Sequence, residues 1–231
     1  MLTPSSYHSP IIPKPDQPCL CGKSKNFGRC CGSTKTHRPP PHGVLIKRAL
    51  IKPAHCDALV NYAEVQEAEK LMITHGSEKD NALVHSLERT SKKVRLGSKR
   101  DTVVRWVDRA FKQIAEPHYS LTIDEYEPPS LMRYESGGYY HAHADSEIYN
   151  PSARTWKRAV NRDISLLIYI NDDYKGGGLH FTYFNFSYQP KKGDLVMFPS
   201  DHRYMHEAQL VQSGTRYAVV SWASVIGSER V

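Results

Sequence analysis

The sequence pattern changes at about Ser120, and this change constrains the fold more than any other feature. From there onward, short runs rich in β-branched and aromatic residues alternate with turn signals such as Gly137-Gly138 and Ser213-Gly214. Short strands with this punctuation are typical of a jelly roll or a related double-sheet barrel. The predicted strands are Leu121–Tyr126, Leu131–Tyr134, Tyr139–His143, Ile164–Ile170, Leu179–Phe184, Asp194–Phe198, Met205–Val211 and Thr215–Ala223.

Two helices are expected before this strand-rich region. Apolar residues recur at helical spacing from Pro53 to Leu71, and Pro is tolerated in a first helical turn. A second helix is expected from Asp101, a suitable N-cap, to a stop before Pro117. The fold class predicted is therefore mainly β, of the α+β type: a jelly roll, or double-stranded β-helix, preceded by two helices.

Length and composition fit one folded domain with a short appendage. The chain has 231 residues, of which 39% are hydrophobic, so it can bury a core, and no apolar run is long enough to span a membrane. Residues 1–18 lack the basic and apolar segments of a secretory signal. A cytoplasmic location is therefore expected.

Four of the five cysteines lie close together near the N-terminus, as Cys19, Cys21, Cys30 and Cys31. Without a secretory signal this clustering favours metal over disulfides, and four thiolates make the closed tetrahedral site of structural zinc. The spacing of the two cysteine pairs resembles the SEC-C motif, a short zinc-binding module. We expect a flexible N-terminus at 1–18, a SEC-C-like zinc motif at 19–33, a Pro-rich linker at 34–43 and the main domain at 44–231.

The formal charge of +7 is concentrated in two places. Residues 1–45 contain six Lys or Arg against one acidic residue, and residues 89–112 contain nine against two. Such basic segments, here 23–38 and 89–112, suit nucleic acid or an acidic protein as a partner. Zinc bound by thiolates would lower the net charge of the first segment. The alternative is that both basic segments are solvated surfaces without a partner.

The pair His143 and Asp145 is a candidate metal site. Residues two apart in a strand project to the same face, so both side chains can bind one ion. Non-heme Fe(II) oxygenases use two His and one carboxylate, which leaves positions open for a cosubstrate and dioxygen. His141 shares the strand face under ideal alternation and competes with His143. A third ligand is expected from a later strand, at His180, His202 or His206.

His206 is distinguished by Arg216, ten residues further on across a predicted hairpin. A 2-oxo dicarboxylate such as 2-oxoglutarate can chelate iron at one end while a guanidinium binds the carboxylate at its other end. Together with the motif that ends at His143 and Asp145, this spacing resembles the prolyl 4-hydroxylase family of Fe(II)/2-oxoglutarate dioxygenases. The segments 89–91, 176–181 and 191–195 also resemble that family.

The resemblance implies a role for each matching residue. His143, Asp145 and His206 would be the iron ligands, and the family spacing selects His143 over His141. Arg216 would hold the distal carboxylate of 2-oxoglutarate. Tyr169 and Tyr134 would line the same pocket, the first sharing that carboxylate through its hydroxyl. Ascorbate is implied as the reductant that keeps iron ferrous. Many collagen-type members have an acid next to the glycines where this chain has Leu179, which leaves the substrate type open.

Residues 146–163 interrupt the strands beside the candidate site and are expected to form a lid, a substrate contact or a surface excursion. Possible substrate contacts are Tyr140, Arg154, Trp156 and Trp222.

The activity implied is hydroxylation of a C–H bond in a protein, with a prolyl residue favoured and succinate and carbon dioxide as coproducts. The zinc motif would dock the enzyme to a macromolecule such as the translation machinery. The alternatives are an oxidative demethylase acting on nucleic acid and a zinc-knuckle adapter with an inert barrel.

Overall fold

The computed structural model describes residues 14–17, 25–30, 40–70, 73–74, 83–84 and 89–231. Strands dominate this part of the chain, and its three α-helices all precede Ile123, where the sixth strand begins. The elements, in chain order, are β1 (Leu45–Lys47), α1 (Pro53–Glu64), β2 (Ala68–Lys70), β3 (Ile73–Thr74), β4 (Leu83–Val84), β5 (Lys92–Val94), α2 (Arg100–Ala110), α3 (Glu116–Tyr119), β6 (Ile123–Tyr126), β7 (Ser130–Tyr134), β8 (Tyr140–His143), β9 (Glu147–Asn150), β10 (Thr155–Arg158), β11 (Ile164–Tyr169), β12 (Lys175–Gly176), β13 (Leu179–Phe181), β14 (Phe186–Tyr188), β15 (Leu195–Pro199), β16 (His206–Ala208), β17 (Val211–Ser213) and β18 (Arg216–Val225).

The strands form two main antiparallel sheets. The larger sheet has the order β1-β15-β11-β18-β7-β5-β2, with β6 also paired to β18, and the smaller sheet has the order β14-β13-β16-β8. Phe181 of the smaller sheet contacts Phe198 of the larger one edge to face, with ring centroids 4.9 Å apart. Apolar side chains of both sheets therefore share one core. The predicted mainly β architecture with preceding helices is confirmed.

Strand β11 occupies the centre of the larger sheet, between β15 and β18. All six of its residues are buried, as its nearly continuous apolar sequence predicts. Ser165 is the polar exception, and it lies in register with Phe198 on one side and Trp222 on the other. A buried hydroxyl requires a hydrogen-bond partner, and Ser165 has its partner in the site described below.

The second helix differs from its prediction at both ends. A 3-10 turn at Gly97–Lys99 leads into α2, so Lys99 takes the N-cap position and Asp101 lies in the first turn. The helix also continues past the predicted stop at Pro117. A π-helical turn at Phe111–Ala115 widens the backbone, and Pro117 lies near the start of α3, where its missing N–H needs no partner. No helix in the described residues is long and apolar enough to cross a membrane.

Strand pairing also overrides two predicted elements. Helix α1 ends at Glu64, before the predicted end at Leu71, because residues 68–70 pair with β5. The predicted strand Met205–Val211 divides into β16 and β17, which pair with different strands. Residues 74–98, which show little periodicity, contribute β5 to the larger sheet. In each case pairing with a distant strand decides the outcome, and local sequence does not report it.

Residues 146–163 contain a β-hairpin made of β9 and β10. Two paired residues at its base, Glu147 and Arg158, are buried and tied to the barrel. Glu147 accepts hydrogen bonds from the backbone N–H and the Nδ1 of His202, at 2.6 and 2.7 Å. Arg158 donates to Asp163 at 3.0 Å. Buried charges that are paired in this way fix the base of the hairpin, whereas Tyr149 near its tip is exposed.

We expect Gly193→Ala to destabilise the fold more than Gly137→Ala. Both glycines have a positive φ, +82° and +81°, so Ala carries a similar backbone strain at both positions. A Cβ at Gly193 would lie 2.2 Å from the Ile51 carbonyl oxygen, whereas no atom of the described residues lies within 4 Å of one at Gly137. The difference in unfolding free energy, measured by urea denaturation, should be about 1–3 kcal/mol. Equal losses would show that the close contact has no energetic effect.

Candidate active site

Strands β8 and β16 bring two histidines and one aspartate to a single point. Antiparallel pairing sets His143 opposite His206, and Asp145 follows the end of β8. The Nε2 of His143 lies 3.5 Å from one Asp145 oxygen, and the Nε2 of His206 lies 3.7 Å from the other. One ligand atom from each residue lies within 4.8 Å of the other two. Two imidazoles and a carboxylate at this spacing suit a divalent transition metal.

A bulge in β8 explains why His143, and not His141, joins this group. The pairing of β8 with β16 shifts register, since His206 pairs with His143 and Ala208 pairs with Tyr140. Four residues along β8 therefore correspond to three residues along β16. The extra residue in β8 breaks the alternation of side chains. His141 is exposed and packs beside Tyr139, with ring centroids 4.7 Å apart. Ideal strand alternation, which placed His141 and His143 on one face, does not hold here.

Both histidines present Nε2 to the site because Nδ1 is engaged elsewhere. The Nδ1 of His143 lies 2.8 Å from the His141 carbonyl oxygen, and the Nδ1 of His206 lies 3.1 Å from the Tyr204 carbonyl oxygen. A carbonyl oxygen only accepts, so Nδ1 carries the proton in each neutral ring. The lone pair is then on Nε2, the atom that faces Asp145. Metal-binding histidines in proteins are commonly oriented in this way.

The position of Asp145 is fixed by three hydrogen bonds. The Ser165 hydroxyl donates to its carboxylate at 2.6 Å, and this hydroxyl lies 2.8 Å from the Ser200 hydroxyl. The backbone N–H of Asp145 donates to the Ser200 carbonyl at 3.1 Å, and Arg162 donates to the Asp145 carbonyl at 3.2 Å. Both the backbone and the side chain are therefore held, which keeps the carboxylate aimed at the two imidazoles.

Burial and charge act in opposite directions on the site's ionisable groups. Burial would raise the pKa of Asp145, but His206, His143 and the Ser165 hydroxyl together hold that pKa far below its usual value. For His206, burial outweighs the attraction of Asp145 and lowers the pKa to about 4. At neutral pH the carboxylate is ionised and the His206 ring is neutral. These are the protonation states that bind a metal.

The three residues line a cavity of about 150 Å³ between the sheets. Apolar side chains from β11, β13 and β18 make up much of its wall, and charged and aromatic side chains complete it. The lining residues are Arg89, Tyr134, Tyr140, His143, Asp145, Arg162, Leu166, Leu167, Leu179, His206, Ala208, Arg216, Val220 and Trp222. The cavity thus joins the candidate metal site to Arg216, as the sequence predicts.

Arg216 is a buried cation with unused donors. It is 1% exposed, and its guanidinium lies 4.7 Å from the Tyr134 ring centre and 5.1 Å from that of Tyr169. Among the described residues, Nε and Nη1 of Arg216 and the hydroxyl of Tyr169 have no hydrogen-bond partner. Leaving a buried cation and its donors unsatisfied is costly. The arrangement therefore fits a carboxylate supplied by a ligand, and a guanidinium binds such a group with two parallel hydrogen bonds.

Two aromatic and two cationic side chains of the cavity wall form stacked pairs. Tyr140 stacks on His143 at 3.7 Å, and Arg89 lies 4.6 Å above the Tyr140 ring. Arg162 lies 3.9 Å above the ring of Trp222. Tyr140 and Trp222 were expected from the sequence, whereas Arg89 and Arg162 were not named as site residues. The sequence features that could have indicated them were the Arg-Thr-Ser segment at 89–91 for Arg89 and the basic end of the 146–163 segment for Arg162.

The other two predicted substrate contacts lie outside this cavity. Arg154 occupies an exposed hairpin turn and has a positive φ of 50°. Trp156 stacks on His202, with ring centroids 5.3 Å apart. A contact between either residue and a substrate stays a prediction. Of the predicted zinc ligands, Cys19, Cys21 and Cys31 lie outside the described residues, and Cys30 is buried.

A second acidic group at Glu147, Asp201 and His202 also has metal-like spacing. The atoms of this group that could bind a metal already form hydrogen bonds within the protein. One Glu147 oxygen accepts from His202 twice, and both Asp201 oxygens accept from Arg203, at 2.9 and 3.0 Å. A metal ion would have to displace these bonds, so the group serves to anchor the turn before β16.

A His–Asp–His set that opens into a jelly-roll cavity defines the class of non-heme Fe(II) oxygenases. Residues 129–224 match the family model of the 2OG-Fe(II) oxygenase superfamily, and this segment contains all three metal-ligand candidates and Arg216. The match supports the predicted enzyme class, a 2-oxoglutarate-dependent dioxygenase, for this segment.

Named relatives and solved structures agree with this class. The chain is 34% identical over 117 residues to a PKHD-type hydroxylase of Hyphomonas neptunium, an alignment that covers 48% of this chain and 47% of that protein. It is 36% identical over 89 residues to human prolyl 3-hydroxylase 2, covering 35% of this chain and 13% of that protein. The chain thus spans less than half the length of either relative.

One solved structure shows the shared fold. A prolyl hydroxylase from Trichoplax adhaerens, in complex with a hypoxia inducible factor peptide fragment, superposes with a TM-score of 0.57 at 18% identity. The match covers 79% of this chain and 83% of that chain. It supports a jelly-roll fold for the described domain.

We expect His143→Ala to weaken divalent metal binding by at least about 10-fold, because it removes one of three protein ligands. His141→Ala is the matched control. It removes an imidazole from the same strand, but one that lies outside the site, so affinity should change by less than about twofold. Titration with Mn(II), followed by the electron paramagnetic resonance signal of the free ion, measures both. A larger loss in His141→Ala would reverse the assignment.

Proposed function

We propose that this protein is an Fe(II)- and 2-oxoglutarate-dependent dioxygenase that hydroxylates a C–H bond of a protein substrate, with a prolyl residue favoured. The observation that carries the proposal is Arg216. Its buried guanidinium has two nitrogens with no hydrogen-bond partner in the described part of the chain, and it lines the same cavity as His143, Asp145 and His206. An anion placed between them would satisfy both the cation and a metal.

Iron would be held by His143, Asp145 and His206. With iron bound, 2-oxoglutarate and dioxygen supply the oxidising chemistry, which converts a C–H bond to C–OH and yields succinate and carbon dioxide. The protein's own part is to hold the metal on one side and leave the other side open to the cavity. The Ser165 hydroxyl keeps one Asp145 oxygen engaged, so the carboxylate has a single preferred orientation toward the metal.

The far carboxylate of 2-oxoglutarate would be held by Arg216 and Tyr169, with Tyr134 stacked beside the guanidinium. Burial raises the pKa of Tyr169, so its hydroxyl stays protonated and can donate. Arg216 is always charged and supplies two parallel donors. In a cavity with little water, these charge-assisted bonds are stronger than they would be in solution. Ascorbate, as the reductant of the iron, belongs to the same proposal.

A prolyl substrate is supported by the rim of the cavity and by the relatives. Tyr140 and Trp222 line the cavity beside Arg89 and Arg162, so apolar ring atoms are available for contact with a pyrrolidine ring. The similar human protein is named a prolyl 3-hydroxylase, and the Trichoplax enzyme is bound to a peptide fragment. Both support a protein substrate for this chain.

Nucleic acid is the less favoured substrate. Several cations of the basic segment 89–112 are already paired: Lys92 with Glu135, Arg95 with Glu69 and Lys112 with Asp108. Pairing reduces the charge available to phosphates. An inert barrel is disfavoured by the cost of burying Arg216 without a ligand.

The N-terminal segment would be a zinc-binding docking module. Cys19, Cys21, Cys30 and Cys31 would hold one zinc ion in residues 19–33, and residues 34–43 would link the module to the dioxygenase domain at 44–231. Its basic residues suit a component of the translation machinery as the partner, and a cytoplasmic location belongs to the same proposal. Phe27 and Cys30 are buried in the same core cluster as the main domain, which supports a module that packs onto the barrel.

The activity predicts 2-oxoglutarate turnover without an added substrate. We expect the purified protein to form succinate when given Fe(II), 2-oxoglutarate, ascorbate and oxygen, and we expect Asp145→Ala to lose this activity. Arg216→Met should raise the KM for 2-oxoglutarate by about 10- to 100-fold, since it removes a charge-assisted contact worth about 1.5–3 kcal/mol in total.

Arg133→Met is the control for the loss of an arginine. Arg133 is on β7, adjacent to Tyr134, and pairs with Glu135 at 2.7 Å, so the KM should stay unchanged. Equal activity in the wild type and in Asp145→Ala would reject the dioxygenase proposal. An unchanged KM for 2-oxoglutarate in Arg216→Met would reject the role of Arg216 but not the dioxygenase proposal.

The zinc module predicts bound zinc that depends on the clustered cysteines. In a His143→Ala background, which keeps zinc out of the iron site, elemental analysis should find about one zinc per chain. The double change Cys19→Ser and Cys21→Ser should remove it, whereas Cys56→Ser, at a buried position in α1, should retain it. Zinc retained by the double variant would contradict the module.

A further inference from the structure

We propose that Tyr204 is a positioning residue that couples the N-terminal segment to the iron ligand His206. Four residues form the connection, here called the Tyr204 path: Phe27, His42, Tyr204 and His206. The inference rests on the proposed function, because it requires His206 to bind a metal. It adds a means by which the N-terminal segment tunes the metal site of the dioxygenase domain.

The side chain of Tyr204 is fixed by the linker that precedes β1. Tyr204 is 2% exposed, and its hydroxyl donates to the carbonyl oxygen of His42. Its ring packs on Phe184, with ring centroids 5.1 Å apart. Gly43 has a φ of +85°, and a Cβ there would lie 2.5 Å from the Tyr204 hydroxyl oxygen. The linker backbone thus approaches the hydroxyl so closely that only glycine fits.

The backbone of Tyr204 in turn orients His206. The Tyr204 carbonyl accepts the hydrogen bond from Nδ1 of His206, which directs Nε2 toward Asp145. Tyr204 ends a 3-10 turn capped by Asp201, whose side chain accepts from the backbone N–H of Arg203 at 3.0 Å. In so short a turn, a shift of the Tyr204 side chain also moves its carbonyl. Hydrogen-bond partners of this kind set the orientation and affinity of metal-binding histidines.

The N-terminal segment meets the linker at the residue that holds Tyr204. The Phe27 ring lies edge-on to the His42 ring, with ring centroids 5.5 Å apart. Phe27 is 8% exposed, and its backbone N–H donates to the Gln17 carbonyl at 2.8 Å. On the other side, the Tyr119 hydroxyl donates to the Gly43 carbonyl at 2.8 Å, which anchors the linker to α3. The linker is therefore held on one side at His42 and on the other at Gly43.

The consequence is a two-way coupling between the segment and the metal. Packing of Phe27 on His42 favours the linker position that holds Tyr204, and so favours the His206 orientation that binds metal. Linkage requires the reverse as well: metal binding stabilises the docked N-terminal segment. A change in the segment, such as gain or loss of its own metal or of a partner, then alters the occupancy of the active site.

The test is Tyr204→Phe in the full-length chain, with Mn(II) as the probe. Mn(II) prefers nitrogen and oxygen ligands over thiolates, so it reports on the iron site and not on the cysteines. We expect the Kd for Mn(II) to rise by about 10-fold at most, the lower end of the effect of losing a direct partner of a metal ligand, because the Tyr204 carbonyl itself is kept. Tyr183→Phe is the matched control, because Tyr183 also packs on Phe184 and has no part in the path.

A double-mutant cycle tests the path itself. Phe27→Ala alone should raise the Kd for Mn(II) by about three- to tenfold, whereas in a Tyr204→Phe background it should have less than about twofold effect. Independent effects of the two changes would overturn the coupling. An unchanged Kd in Tyr204→Phe would overturn the positioning role.

Two further variants separate the possible failures. His206→Ala must itself weaken Mn(II) binding; if it does not, the metal site and this inference both fail. Should Tyr204→Phe lower the unfolding midpoint of the metal-free protein, Gly43→Ala disturbs the same contact from the linker side and should also raise the Kd. A variant that unfolds earlier yet binds Mn(II) as the wild type does would mark the contact as structural only and reject the proposal.

Discussion

The register between β8 and β16 is the constraint on which the candidate site depends. It sets His143 opposite His206, and the extra residue in β8 turns His143 into the cavity and His141 out of it. A shift of one residue would reverse both positions, because side chains alternate along a strand. The bulge therefore decides which histidine can bind metal, and the hydrogen bond from Nδ1 of His143 to the His141 carbonyl gives His141 a supporting role through its backbone.

Arg216 connects the site to the stability of the barrel. It begins β18, the strand that pairs with β11, β7 and β6, and its guanidinium stacks between Tyr134 and Tyr169. Cation–π contacts return part of the cost of burying the charge, but they leave Nε and Nη1 unsatisfied. The remaining cost is lowered only when a carboxylate is present. A ligand anion bound here would then stabilise the fold as well as occupy the cavity.

Much of the fold could be predicted because strands, turns and helices leave local signatures. The apolar run at Ile164–Ile170 predicted the central strand, since a strand covered on both faces has no polar side. The stop predicted before Pro117 was wrong, because a π-helical turn accommodates the proline. The hairpin at 147–158 was missed because its base is held by His202, which is distant in sequence. Strand β5 was missed because it pairs with β7.

The sequence by itself determined the donor types, their order along the chain and the spacing of His206 and Arg216, which together limited the chemistry. Only the tertiary structure decided which residues meet. The Ser165 bond to Asp145, the place of Arg89 and Arg162 in the cavity wall and the link from Phe27 to His206 through Tyr204 all join residues far apart in the chain. Such contacts depend on strand register and on the burial of polar groups, and neither of these is encoded within a single local segment.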